Sequence, residues 1–377
     1  MVTHPDARKG PVDRTPPTGR LTVTTGTQSR GTESRGAQLD VRSLEPYGWG
    51  DRWAALLAEH PGRVPGRVVR HDGSGLLLAT SEGVVAAPLT HRLDPAPTVG
   101  DWIACAGADP VAVLPRTSLL RRASAGGETE QQLAANVDLV LLVCGLDRPV
   151  KTGRIERGTA LARDAGATPL VVLTKAAVVP DPEAVAAHVA EAVPGVDVLV
   201  TSAREGLGLD ALRALAADKT VTMLGESGAG KSSLVNALMG DDVAAIGDVR
   251  RGDAKGRHTT TTRELHVLPS GGVLIDSPGI RAVGLWVEPE AVAETFADID
   301  ELAAGCRFAD CRHDSEPGCA VTAAVEAGTV TRARVDAWRE LGREAEAAAL
   351  RAAPHEQRRY EKRFARITKD AQRRKGR

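Results

Sequence analysis

Residues 220–236, TVTMLGESGAGKSSLVN, constrain this chain more than any other stretch. An apolar run passes directly into Gly225-x-x-x-x-Gly230-Lys231-Ser232 and then into a helical pattern. That succession is the phosphate-binding loop between a buried strand and a helix. Its glycines let consecutive backbone N–H groups turn toward phosphate, and the helix places its positive end there. The surroundings agree with the parallel sheet such a loop requires. From Asn136 onward LVLLVC, PLVVLT and VDVLVT alternate with helical patterns at 153–165, 183–193 and 208–217, which implies a mostly parallel sheet covered on both faces.

The loop offers Gly225, Glu226, Ser227, Gly228, Ala229, Gly230, Lys231, Ser232 and Ser233 to a nucleotide. Lys231 is expected on the β- and γ-phosphates and Ser232 on Mg²⁺. Asp276, opening Asp276-Ser277-Pro278-Gly279 after an apolar strand, is placed to hold the metal through water, and the Gly279 N–H to reach the γ-phosphate. Between them, residues 241–265 form a long Gly- and Arg-rich stretch with four threonines. Thr259 and Thr260 are candidates to close over Mg²⁺ and the γ-phosphate in the triphosphate state. Thr261 and Thr262 read equally well as a solvated strand edge.

The base-reading motif is expected downstream, yet nothing after residue 233 fits it: Thr368-Lys369-Asp370 lacks the spacer. Upstream, PLVVLTK ends in Thr174-Lys175, the start of the guanine-reading pattern [NT]-K-x-D, and VTSAR places Ser202-Ala203 as a second base loop, the Ala203 N–H toward guanine O6. The base-reading strands therefore precede the phosphate-binding strand, a circular permutation. Ala177 stands where the pattern has its carboxylate, and Asp181 lies beyond Pro180. Losing charge-assisted hydrogen bonds of ~1.5–3 kcal/mol each should weaken guanine binding by one to several decades. Ile280 occupies the place where Ras-like enzymes carry the glutamine that orients water. His258 is the imidazole available as a substitute, or else it contacts RNA or phosphate.

Elsewhere, residues 1–43 have too little aliphatic content to form a core and are expected to be disordered. Residues 44–125 show a short helix near Trp53 and five short apolar segments broken by Gly or Pro, a small β-barrel pattern. Cys306-x4-Cys311-x-His313-x5-Cys319 supplies three thiolates and an imidazole, a closed tetrahedral set for a structural Zn²⁺. Cys105 and Cys144 sit in strand patterns and are expected in the core. A net charge of −1 gives no global pull toward nucleic acid, so local charge must supply it; residues 355–377 hold ten Lys or Arg against three Asp or Glu. No run approaches the ~18 apolar residues of a membrane helix, and a cytoplasmic protein is expected.

The permuted order, Gly256-Arg257-His258-Thr259-Thr260-Thr261, Asp276-Ser277-Pro278-Gly279 followed by Gly284-Leu285-Trp286, Gly100-Asp101-Trp102 in the preceding barrel and the trailing cysteine cluster together resemble the small-subunit-dependent GTPase A family, RsgA or YjeQ. The resemblance implies a multidomain α/β protein: an OB-like barrel over 44–125, a permuted G domain over 126–285 in the order G4-G5-G1-G2-G3, and a helical zinc-binding domain over 286–377. It implies a GTP-hydrolysing factor of late 30S subunit assembly that binds 16S rRNA, GTP and GDP, is stimulated by the subunit, and needs Mg²⁺ and one structural Zn²⁺. Lys231, His258, Thr259 and Thr260 would be catalytic; Ser232, Thr259 and Asp276 would hold Mg²⁺. A monomer without DNA or membrane partners suits this role. With only three Phe and two Tyr, RNA contact is expected through phosphates and to weaken with salt. The expected contacts are Arg67, Arg70, Arg121 and Arg122, the loop residues Arg250, Arg251, Lys255 and Arg257, and the C-terminal Arg358, Arg359, Lys362, Arg363, Arg373 and Arg374. Ala177 and Ile280 motivate the alternative, a nucleotide-binding RNA scaffold with relaxed base specificity or little hydrolysis.

Overall fold

Strict alternation of apolar side chains decides the central architecture. In β8 (Leu139–Gly145), Leu139, Leu141 and Val143 enter one core and Val140 and Leu142 the other; in β9 (Thr168–Thr174), Leu170 and Val172 oppose Val171 and Leu173. Strands apolar on both faces must be covered on both, which is the parallel-sheet solution. The protein is described here by a computed structural model, which describes residues 41–72, 75–89, 93–123, 130–240, 263–276, 287–314 and 316–352.

The mostly parallel part of the sheet runs β10 (Asp197–Val200), β9, β8, β11 (Thr220–Gly225), β13 (Val273–Asp276) and β12 (Arg263–Val267); all pair in parallel except β12, which is antiparallel to β13. One face packs α4 (Leu209–Ala216) and α5 (Lys231–Met239); the other packs α2 (Thr152–Asp164) and α3 (Pro182–Ala192). Each predicted helix appears, shifted by a residue at its ends.

The five amino-terminal strands also appear where predicted: β1 (Val64–His71), β2 (Gly75–Thr80), β3 (Gly83–Pro88), β4 (Trp102–Ala106) and β5 (Asp109–Val113), after α1 (Asp51–Ala58). They pair antiparallel in the order β3-β2-β1-β4-β5. Their sheet is not separate. Through Arg70↔Glu264 and His71↔Arg263, β1 pairs with β12, so the described strands of the two regions form one eleven-stranded sheet. A hairpin that the sequence reading did not anticipate, β6 (Leu119–Ala123) with β7 (Glu130–Ala135), spans the expected boundary at 125/126. Its strands are short and lack a clean period-2 pattern, which hid it.

The carboxyl-terminal part is helical: α6 (Pro289–Thr295), α7 (Ala297–Ala304), α8 (Ala320–Glu326) and α9 (Arg332–Ala352). It docks through α6 and α9 onto α2. No helix among the described residues is long and apolar enough to cross a membrane.

Candidate nucleotide site and metal centre

In parallel register, Gly145 lies beside Thr174 and Val143 beside Gly225, while Val200 lies beside Leu173. The carboxyl ends of β8, β9, β10, β11 and β13 therefore form one edge, the place where open α/β sheets bind ligands. The phosphate loop joins β11 to α5 there. Gly225 is required by close approach, since a Cβ would sit 2.5 Å from Val143 O, and Gly230 by its left-handed φ of 97°. Lys231 Nζ donates to Gly225 O and Glu226 O, each at 2.7 Å. Burial lowers the Lys231 pKa while Asp276, at the end of β13, counteracts it. The two groups thus share one electrostatic field. Ser232 and Ser233 are exposed on the first turn of α5.

Of the two loops expected to read the base, the one at Thr174-Lys175 meets the phosphate loop directly. Thr174 Oγ1 donates to Ala229 O, and Lys175 Nζ donates to Gly228 O at 2.6 Å. Ala176 N–H donates to Thr201 O at 3.2 Å, and buried Ser202 donates its N–H to Leu207 O at 3.0 Å, leaving Ala203 half-buried beside it. Thr174, Lys175, Ser202 and Ala203 thus stand at the same edge as Gly225–Ser233 and Asp276. Ala177 is exposed in a short 3-10 turn. Asp181 is committed elsewhere: it caps α3, accepting from Ala184 N–H at 2.9 Å.

Sequence reasoning missed Asp147. It lies in the β8–α2 loop, and its Oδ2 accepts from Lys175 Nζ at 2.8 Å and from Arg148 at 3.1 Å. Hydrogen bonds from Arg148 and Lys175 hold this carboxyl at about 2, so it is ionised. Its only signal was a carboxylate just past the carboxyl end of a sheet strand. Glu226 of the phosphate loop is tied to α2 by an ion pair with Arg154. Predicted residues His258, Thr259, Thr260, Gly279 and Ile280 lie outside the described residues.

The second site assembles between α7 and α8. The ligand atoms of Cys306, Cys311, His313 and Cys319 all lie within 4.8 Å of one another. Cys306 Sγ is 3.4 Å from His313 Nδ1 and 3.9 Å from Cys319 Sγ, and Cys319 Sγ is 3.7 Å from His313 Nδ1. Bond lengths of about 2.3 Å to sulfur and about 2.0 Å to nitrogen give tetrahedral edges of about 3.5–3.8 Å, so the set fits Zn²⁺. Burial opposes ionisation of Cys319, but a hydrogen bond from Thr322 and contacts with His313 and Cys311 lower its thiol to about 6. Arg339 of α9 donates to His313 O, and Trp338 packs on the imidazole with centroids 5.3 Å apart.

Of the expected RNA contacts, Arg67 is corrected by its burial, and three others have partners within the chain. Arg67 is buried, donating to Tyr47 O and to Thr220 Oγ1 at 2.8 Å, with its guanidinium over Trp102. Arg70 pairs with Asp72, Arg121 with Asp164, Glu130 and Glu288, and Arg122 with Gln131. Arg67, Arg121 and Arg122 join elements of the chain to one another, whereas Arg70 pairs locally at the end of β1. The other predicted contacts fall outside the described residues. Cys105 is buried as expected, and Cys144 half-buried in β8.

Residues 113–286 match the family model described as RsgA GTPase. The chain is 48% identical over 319 residues to a Streptomyces coelicolor protein named small ribosomal subunit biogenesis GTPase RsgA, covering 80% of this chain and 86% of the relative. A Vibrio parahaemolyticus relative named small ribosomal subunit biogenesis GTPase RsgA 2 is 41% identical, covering 80% of this chain and 85% of its own length. Among solved structures, that of YjeQ from Thermotoga maritima is similar with a TM-score of 0.56 at 27% identity, covering 75% of this chain and 98% of the other. YloQ, described as a circularly permuted GTPase, gives a TM-score of 0.54 at 24% identity, covering 76% and 96%.

Proposed function

The chain belongs to the RsgA GTPase family, and from that premise we propose that it hydrolyses GTP as a factor in small ribosomal subunit biogenesis. One observation carries the reading: the loop at Thr174-Lys175, upstream in sequence, is hydrogen-bonded to the phosphate loop at Gly228 and Ala229. Base-reading and phosphate-binding segments in permuted order thereby serve one ligand.

In this reading the Gly225–Ser233 loop wraps the phosphates, and Lys231 leaves the carbonyls of Gly225 and Glu226 to meet charge developing between the β- and γ-positions. Thr174, Lys175 and the Ala203 N–H orient the base. Mg²⁺, held by Ser232 and Asp276 with Thr259, would neutralise phosphate charge. His258 and Thr260 would complete the arrangement around the attacking water. Zn²⁺, held by Cys306, Cys311, His313 and Cys319, would tie the helical region together without entering the reaction. The five amino-terminal strands act as an OB-like barrel which, with the helical region, docks on 16S rRNA of the 30S particle. A cytoplasmic monomer that alternates between GTP and GDP forms fits the role.

Hydrolysis should accelerate on adding purified small ribosomal subunits, and Lys231→Ala should abolish it. Equal rates with and without subunits would overturn the reading and favour the scaffold alternative.

A further inference from the structure

The base loop of this chain lacks a carboxylate at position 177, and Asp181 is occupied as a helix cap. Among the described residues, the carboxylate in contact with this loop is Asp147, which comes from a different crossover, between β8 and α2. Lys175 has the left-handed φ of 60°, and its chain stretches to two anchors, Asp147 Oδ2 at 2.8 Å and Gly228 O at 2.6 Å. An ammonium held at its tip leaves the methylene stem as a fixed apolar surface. The side chains of Lys175 and Asp147 are each 32% exposed, so this surface is open at the ligand edge.

We propose that Asp147 is a positioning residue for the nucleotide: it pins the Lys175 ammonium against Gly228 so that the Lys175 stem forms a floor for the face of a purine ring. A floor contacts the ring's face and carries no information about its edge. Affinity gained this way is the same for any purine, in contrast to a carboxylate at 177, which would read guanine N1–H and N2–H₂. The inference rests on the nucleotide-binding reading above and adds that base affinity and base selectivity are separated in this chain.

The test is titration calorimetry on the full chain with GDP, XDP and ADP. Asp147→Asn, which keeps an acceptor but removes the charge that holds the ammonium, should weaken all three in parallel by roughly two- to fivefold, the size of an exposed ion pair. Asp147→Glu should restore most of that loss. Ala177→Asp should tighten GDP alone. Selective loss of GDP in Asp147→Asn would show that Asp147 reads the guanine edge itself and would overturn the proposal, as would unchanged affinity for all three. If the wild-type chain bound none of the three, the nucleotide reading itself would fail, an outcome distinct from a normal wild type with a silent Asp147→Asn.

Discussion

Two cation–carboxylate nodes flank α2, and they sit in opposite settings. At the nucleotide edge, Lys175 and Asp147 are each about one-third exposed. Where α2 meets the helical region, Arg334 and Glu156 are only 6% and 1% exposed; Arg334 donates to Glu156 at 2.9 Å, to both oxygens of Asp298 and to Thr295 O. An exposed pair is solvated with or without its partner and contributes little to folding, so it is at liberty to serve a ligand. A buried pair loses its hydration, and each member becomes costly once the other is removed. In the proposed reading the first node serves binding; the second lies at the joint between the G domain and the helical region.

That contrast can be broken most decisively at Arg334. Arg334→Ala leaves Glu156 and Asp298 facing each other without their cation and should cost about 3–5 kcal/mol in denaturant unfolding. A loss below ~1 kcal/mol would place this node in the same class as the exposed one.

A smaller effect is expected from pH. Burial drives the Glu156 carboxyl up to about 7, against the attraction of Arg334. A carboxyl whose pKa is raised on folding contributes stability below its unfolded value that is lost as pH rises through the folded one. Between pH 5 and 8 the wild type should lose up to roughly 3 kcal/mol from this group, a slope that Glu156→Gln removes. Identical pH profiles for the two proteins would contradict the assignment. Smallest of all, Asp147→Asn should leave the denaturant midpoint of unfolding nearly unchanged. A clear drop in that midpoint would mean that this node, too, is structural.

Much of the nucleotide edge was legible because its parts are contiguous. Gly225 to Ser232 encode a turn that few other residues can adopt, and Thr174-Lys175 and Ser202-Ala203 each follow an apolar strand. The cysteine cluster was legible for a similar reason, since four ligands within fourteen residues need only a local fold to converge. Arg67 was misread because charge in a sequence does not reveal burial. Arg67 reads as a surface cation until Thr220, 153 positions away, and Trp102 enclose it.

Sequence alone determined the order of the loops and the kind of chemistry they carry, since backbone conformation and ligand type are written in short stretches. Tertiary structure alone decided that Asp147 meets Lys175 and that Arg334 meets Glu156, 178 positions apart. Such pairs follow from which strand ends share an edge and which helices pack. Those choices are made by apolar burial over the whole chain, and the charged residues inherit their partners from it.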